Sequence, residues 1–85
     1  MTLKIETESA RGKTIVHLSG RLRSEHLDEL EQQVKRNASE TVLDLEAVML
    51  VDVEVIRFLN SCEESGVELL HCCPYIREWM LREQQ

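Results

Sequence analysis

The chain has 85 residues, and its ten Lys and Arg against sixteen Asp and Glu give a formal net charge of −6. This length predicts one domain, residues 1–85, with little room for both a hydrophobic core and a deep catalytic cleft. The acidic balance disfavours nucleic acid as a partner, since like charges repel. No apolar run approaches the length needed to cross a bilayer, so no membrane insertion is expected. The N-terminus lacks the pattern of a signal peptide, which predicts a cytoplasmic protein.

A β-hairpin is the first predicted feature. Residues 3–8 alternate between apolar and polar side chains, which is typical of a half-buried strand. Residues 14–19 are rich in β-branched side chains and predict a second strand. Because the connection between them is short and contains a glycine, the two strands are expected to pair antiparallel.

The first helix is predicted to follow Gly20. Ser24 is a candidate N-cap, because its hydroxyl can accept a hydrogen bond from a free backbone N–H. Behind it, Leu27, Leu30 and Val34 recur at helical spacing, and Asn37 is a candidate C-terminal cap.

A central strand and a second helix are predicted next. The nearly continuous apolar runs at residues 41–45 and 48–51 favour a strand covered on both faces. Asp52 is the next N-cap candidate, and Gly66 ends the helix that it opens. Residues 67–70 form a further short strand, and Pro74 suits the first turn of a last helix. The order ββαβαβα predicts an α/β fold with a single mixed sheet and helices packed on it.

Chemistry-bearing residues are sparse and scattered. Three cysteines, two of them adjacent, do not form a disulfide framework. Cys62 lies on an apolar helix face and is expected to be buried, whereas Cys72 and Cys73 precede a helix start, where a thiolate is favoured. The three histidines do not have metal-site spacing. We therefore expect no enzyme activity, no metal and no cofactor.

Tyr75 and Trp79 lie four residues apart and share one face of the last helix. Core packing is the favoured interpretation of this pair. The alternative is an exposed aromatic patch, which would mark a binding surface or a homodimer contact.

The chain resembles the STAS domain of bacterial anti-sigma-factor antagonists and sulfate transporters. Four segments carry the resemblance, in order, over nearly the whole chain. They are the turn Gly20, Arg21, Leu22 after a strand, the strand at 41–48, Asp52 at the start of the family signature, and the glycine-led strand at 66–69. The resemblance implies a protein-binding regulator, and the chain looks like a minimal member of the family.

The signature departs from that of the phosphorylatable members. In those proteins a serine follows the aspartate, and a partner kinase that is also the anti-sigma factor phosphorylates it. Here Val53 stands at the phosphoserine position and Glu54 follows, so both hydroxyl positions are absent. Arg23 stands where an aspartate is common. The resemblance therefore implies partner binding without phosphorylation at the usual position.

We expect a non-catalytic interaction module that binds a kinase-like anti-sigma partner. The alternative is a subunit that braces the ATPase of an ATP-binding-cassette lipid transporter. Asp52 has two interpretations, a helix cap or part of an acidic patch that a basic partner contacts. The predicted partner-binding residues are Arg21, Arg23, Ser24, Asp52, Val53, Glu54 and Arg57.

Overall fold

The computed structural model describes residues 3–36 and 40–84. The strands are β1 (Leu3–Ala10), β2 (Lys13–Arg21), β3 (Thr41–Leu50) and β4 (Glu68–Leu70). The helices are α1 (Leu27–Arg36), α2 (Val53–Glu64) and α3 (Pro74–Glu83), with a single 3₁₀ turn over Ser24–His26 before α1. The predicted order ββαβαβα is confirmed.

The four strands form one mixed sheet in the order β1-β2-β3-β4. β1 and β2 pair antiparallel, and the two residues that join them, Arg11 and Gly12, have φ of 55° and 79°. Positive φ at both positions is the pattern of a tight hairpin turn whose twist matches that of the strands. β3 pairs parallel with both β2 and β4, so α1 and α2 are crossover connections.

The helices share one core with one face of the sheet. Val16 and Leu18 of β2 and Leu43 and Leu45 of β3 supply the sheet side of this core. The helices supply Leu30, Val34, Val55, Ile56, Phe58, Leu59, Cys62, Ile76 and Met80. Because side chains alternate along a strand, the residues between the sheet's core positions lie on the opposite face. We call this opposite side the open face.

The prediction that the central strand is buried holds only for its first half. Residues 41–45 are all buried, but Met49 is 76% exposed and Leu50 is 52% exposed. β4 pairs with β3 only as far as Asp44, so the rest of β3 has a neighbour on one side only. Two register shifts relative to β2 also fall in this second half. Within 48–51, Val48 and Val51 are half-buried and pack against the core, whereas Met49 and Leu50 are exposed.

The helix ends follow local signals, with one correction. Asp52 caps α2 as predicted, and Gly66, with φ of 98°, follows its C-terminus. Pro74 opens α3 in the first turn. Ser24 is not an N-cap, because it lies inside the 3₁₀ turn that Arg23 opens in extended conformation. The predicted cap Asn37 lies outside the described residues, and within the described ranges no helix is long and apolar enough to span a membrane.

Candidate partner-binding surface

Asp52 joins two segments that are far apart in the sequence. Its Oδ1 accepts a hydrogen bond from the backbone N–H of Val55 at 3.0 Å, which caps α2. Its Oδ2 accepts from the backbone N–H of Ser24 at 3.0 Å. One carboxylate therefore holds the 3₁₀ turn against the start of α2, and both segments belong to the predicted partner-binding surface.

The same hydrogen bonds lower the pKa of Asp52. Partial burial alone would raise the pKa, because it penalises the charged carboxylate. The hydrogen bonds from the backbone of Ser24 and Val55 outweigh that penalty, since they stabilise the ionised form. Asp52 is thus a charged group at neutral pH.

Exposed apolar side chains lie beside this turn. Met49 and Leu50 are among the most exposed large hydrophobic residues of the described chain. Leu50 pairs with Arg21 across the sheet, and its carbonyl accepts a hydrogen bond from the N–H of Leu22 at 2.9 Å. The end of β3 therefore places two apolar side chains next to the residues that follow β2.

Basic residues border the apolar pair. Arg21 and Arg23 are exposed, and with Glu25 and His26 they line a depression of about 130 Å³. His26 also orders the turn, because its Nδ1 accepts a hydrogen bond from the N–H of Arg23 at 3.1 Å. Positive charge at Arg21 therefore lies next to the exposed apolar end of β3, with which this residue pairs.

The remaining predicted residues lie along α2. Val53 is half-buried and Glu54 is exposed, both in the first turn after Asp52. Arg57 faces α3 instead, because its guanidinium forms ion pairs with Glu54 at 3.2 Å and Glu83 at 3.2 Å. Among the predicted residues, contacts therefore link Ser24 to Asp52 and Glu54 to Arg57, and Arg57 also contacts Glu83 of α3.

A second polar cluster lies on the open face, and sequence reasoning missed it. His17 of β2 pairs with Asp44 of β3, and its Nδ1 lies 2.9 Å from Asp44 Oδ2. Its Nε2 lies 2.6 Å from Glu8 Oε1 on β1, and His71 after β4 places its Nδ1 3.0 Å from Asp44 Oδ1. The side-chain hydrogen bond to Glu8, followed by that to Asp44, raises the pKa of His17, and Asp44 raises that of His71.

The aromatic pair on α3 corrects the core interpretation. The rings of Tyr75 and Trp79 share a face with centroids 5.8 Å apart, as the spacing predicts. Tyr75 is 56% exposed, whereas Trp79 packs against the core and is only partly buried. Only Trp79 therefore contacts the core. The alternative interpretation, an exposed aromatic side chain, applies to Tyr75.

The cysteines differ from the expectation at one position. Cys62 is 3% exposed, and burial raises the pKa of its thiol to about 12. Burial also raises the pKa of Cys72, so the expected thiolate before α3 is wrong at this residue. Desolvation outweighs the nearby positive charge of Arg77, which lowers the pKa of Cys72.

Comparison with known proteins gives a structural match. No family model matches the sequence, and no curated protein matches it. The fold is similar to that of an antisigma-factor antagonist STAS domain from Rhodobacter sphaeroides, with a TM-score of 0.63 and 12% identity over 82% of this chain and 87% of that chain. The protein therefore has the STAS fold that the sequence resemblance implied.

Proposed function

We propose that this chain is a non-catalytic protein-interaction module of the cytoplasm, which binds a kinase-like anti-sigma partner as an anti-sigma-factor antagonist-like regulator. The observation that carries this proposal is the exposed pair Met49 and Leu50 beside the turn held by Asp52. Exposed apolar side chains with charged neighbours are typical of protein-binding surfaces.

Binding would remove the apolar pair from water. Met49 is an adaptable side chain that is common at binding surfaces, and both residues are more than half exposed in the free chain. Arg21 and Arg23 at the border would then contact acidic groups of the partner, which mainly sets the rate and specificity of association. The predicted partner contacts are Arg21, Arg23, Ser24, Asp52, Val53, Glu54 and Arg57.

The mechanism we propose is competition without a phosphate switch. Val53 has no hydroxyl and cannot accept phosphate, and Glu54 follows it in the first turn of α2. A phosphate at this turn would add about −1.5 to −2 charges to a packed contact. Without a phosphate at this turn, the chain would always be able to bind its partner. The amount of this chain in the cell would then decide what fraction of the partner is bound.

The non-catalytic part of the proposal rests on the chemistry of the available groups. The thiols of Cys62 and Cys72 have raised pKa values, which is the reverse of what a nucleophile needs. A depression of about 630 Å³ between α2 and α3 is open, and charged and polar side chains line it. Turnover of a small molecule by the purified chain would contradict this part.

The decisive experiment measures binding to a purified kinase-type anti-sigma factor from the same genome. We expect Met49→Asp to raise the Kd at least about tenfold, which corresponds to about 1.4 kcal/mol. Leu81→Asp is the matched control, because Leu81 is 52% exposed on α3. Equal effects of the two variants would reject the proposed surface, and binding to a transporter ATPase with no anti-sigma binding would favour the alternative role.

A separate experiment tests whether the chain lacks the phosphorylation site. Incubation with the kinase and ATP should leave the natural chain unmodified, whereas Val53→Ser should accept one phosphate. Phosphate on Ser61 or Ser65 of the natural chain would show that the signature has been aligned to the wrong turn.

A further inference from the structure

Three potential metal ligands converge on the open face of the sheet. One ligand atom from each of Asp44, Glu46 and His71 lies within 4.8 Å of the others. Asp44 and Glu46 belong to β3, and His71 directly follows β4. The pairing of Asp44 with Leu70 across the sheet brings the next residue, His71, beside the carboxylate.

Two of the three side chains, those of Asp44 and His71, are held in position before any ion binds. Asp44 is 8% exposed, and its Oδ1 accepts a hydrogen bond from the backbone N–H of Glu46 at 3.0 Å. This bond lies where the register of β3 shifts against β2. His71 has φ of 55°, an uncommon conformation for a residue other than glycine, and its ring lies against Asp44. An unusual backbone conformation that aims a side chain into a cluster supports a functional role.

His17 gives the cluster a supporting layer. Its Nδ1 contacts Asp44 Oδ2, the oxygen that His71 does not contact, and its Nε2 contacts Glu8. Metal-binding carboxylates usually have such outer partners, which fix their orientation. Asp44 can therefore present Oδ1 to an ion while Oδ2 stays hydrogen-bonded.

We propose that Asp44, Glu46 and His71 form a binding site for one divalent transition-metal ion of the zinc type. One imidazole nitrogen and two carboxylate oxygens suit Zn²⁺ and Co²⁺, whereas Ca²⁺ and Mg²⁺ prefer oxygen ligands alone. Ligands of a tetrahedral zinc ion lie about 3.3 Å apart when each bond is about 2.0 Å. The 3.0 Å separation of His71 Nδ1 and Asp44 Oδ1 is close to that spacing. Three protein ligands leave a fourth position for water or a further ligand.

The charge of the site favours a cation. Asp44, Glu46 and the nearby Glu8 are carboxylates, and the ion pairs of Asp44 are with His17 and His71. A divalent ion would take the place of the proton between His71 and Asp44 and would reduce the repulsion among the carboxylates. This inference stands independently of the proposed partner binding.

The test is a titration of the chelator-treated chain with ZnCl₂ by calorimetry, repeated with CoCl₂ by visible absorption. We expect one equivalent of each metal and a cobalt spectrum with nitrogen and oxygen ligation. His71→Asn and Glu46→Gln should each weaken binding at least tenfold. Asparagine is chosen because it tolerates positive φ, and both positions are exposed, so the variants should fold.

Controls separate this site from other ligands of the chain. His26→Gln removes a histidine outside the cluster, and a Cys72→Ser, Cys73→Ser double variant removes the neighbouring thiols. Both should bind Zn²⁺ like the natural chain, while His17→Gln should bind about 10- to 100-fold more weakly, as for other supporting residues. Absence of binding, binding unchanged in His71→Asn, or binding lost in the cysteine variant would overturn the proposal.

Discussion

Asp52 and Ser24 lie 28 positions apart, yet a carboxylate oxygen of Asp52 accepts a hydrogen bond from the backbone N–H of Ser24 at 3.0 Å. The other oxygen caps α2 through Val55. The aspartate is therefore both a helix cap and a link between the two halves of the proposed partner-binding surface. The helix-cap interpretation of Asp52 is confirmed, whereas its contact with a basic partner stays a prediction.

Replacement of Asp52 should destabilise the fold. Asp52→Ala removes an N-cap, and it also leaves the N–H of Ser24 without its acceptor. We expect a loss of about 2 kcal/mol in the free energy of unfolding, measured by urea denaturation. Glu54→Ala is the control in the same helical turn, because Glu54 is exposed and its removal should change stability by less than about 0.5 kcal/mol. Equal effects would contradict the structural role of Asp52.

The contribution of Asp52 should depend on pH with a defined sign. Its pKa is lowered from the ordinary value of 3.8, so the folded state favours the ionised form. The stabilisation is then complete above that value and is lost as the pH falls through the folded-state pKa. The stability difference between the natural chain and Asp52→Asn should therefore shrink as the pH is lowered from neutral to about 3 or below. If this stability difference instead increased as the pH fell, the pKa of Asp52 would be raised in the folded state rather than lowered.

The two halves of β3 should differ in their tolerance of truncation. Leu43 is fully buried in the core, whereas Leu50 of the same strand is 52% exposed. Leu43→Ala should cost about 2–5 kcal/mol, because it removes buried atoms and leaves a cavity. Leu50→Ala should change stability by no more than about 0.5 kcal/mol. Thermal or urea unfolding of both variants measures the contrast, which would disappear if Leu50 were part of the core.

Thiol labelling should distinguish the cysteines. The Cys62 thiol is 3% exposed, and burial raises its pKa to about 12, so the reactive thiolate is scarce at pH 7. Cys73 is exposed and should react first with a thiol reagent in the folded protein. Cys62 should react only in denaturant, with mass spectrometry identifying the labelled residue. Rapid labelling of Cys62 in the folded state would contradict its burial.

Local signals explain why the element order could be predicted. Hydrophobic alternation marks β1, the aspartate before α2 marks its start, and Pro74 marks the start of α3. These features depend on residues that are neighbours in sequence. Ser24 was predicted incorrectly, because Asp52, a distant residue, holds the backbone at the position where the local cap was expected.

Features that depend on strand pairing were not predictable in the same way. The contacts of His17 and His71 with Asp44 each span 27 positions, and they form only when β2, β3 and β4 are in register. The exposure of Met49 was also missed, since composition alone does not reveal that β4 ends beside Asp44. A search for polar residues at matching strand positions would have found the pairing of His17 with Asp44.

The two register shifts make the number of residues in β3 important. Between the pairs His17–Asp44 and Arg21–Leu50, β2 advances four positions while β3 advances six. Deletion of one residue here would reverse the side-chain alternation of everything downstream up to α2. Natural variation in this segment should therefore favour substitutions over gains or losses of single residues, even though its side chains are largely exposed.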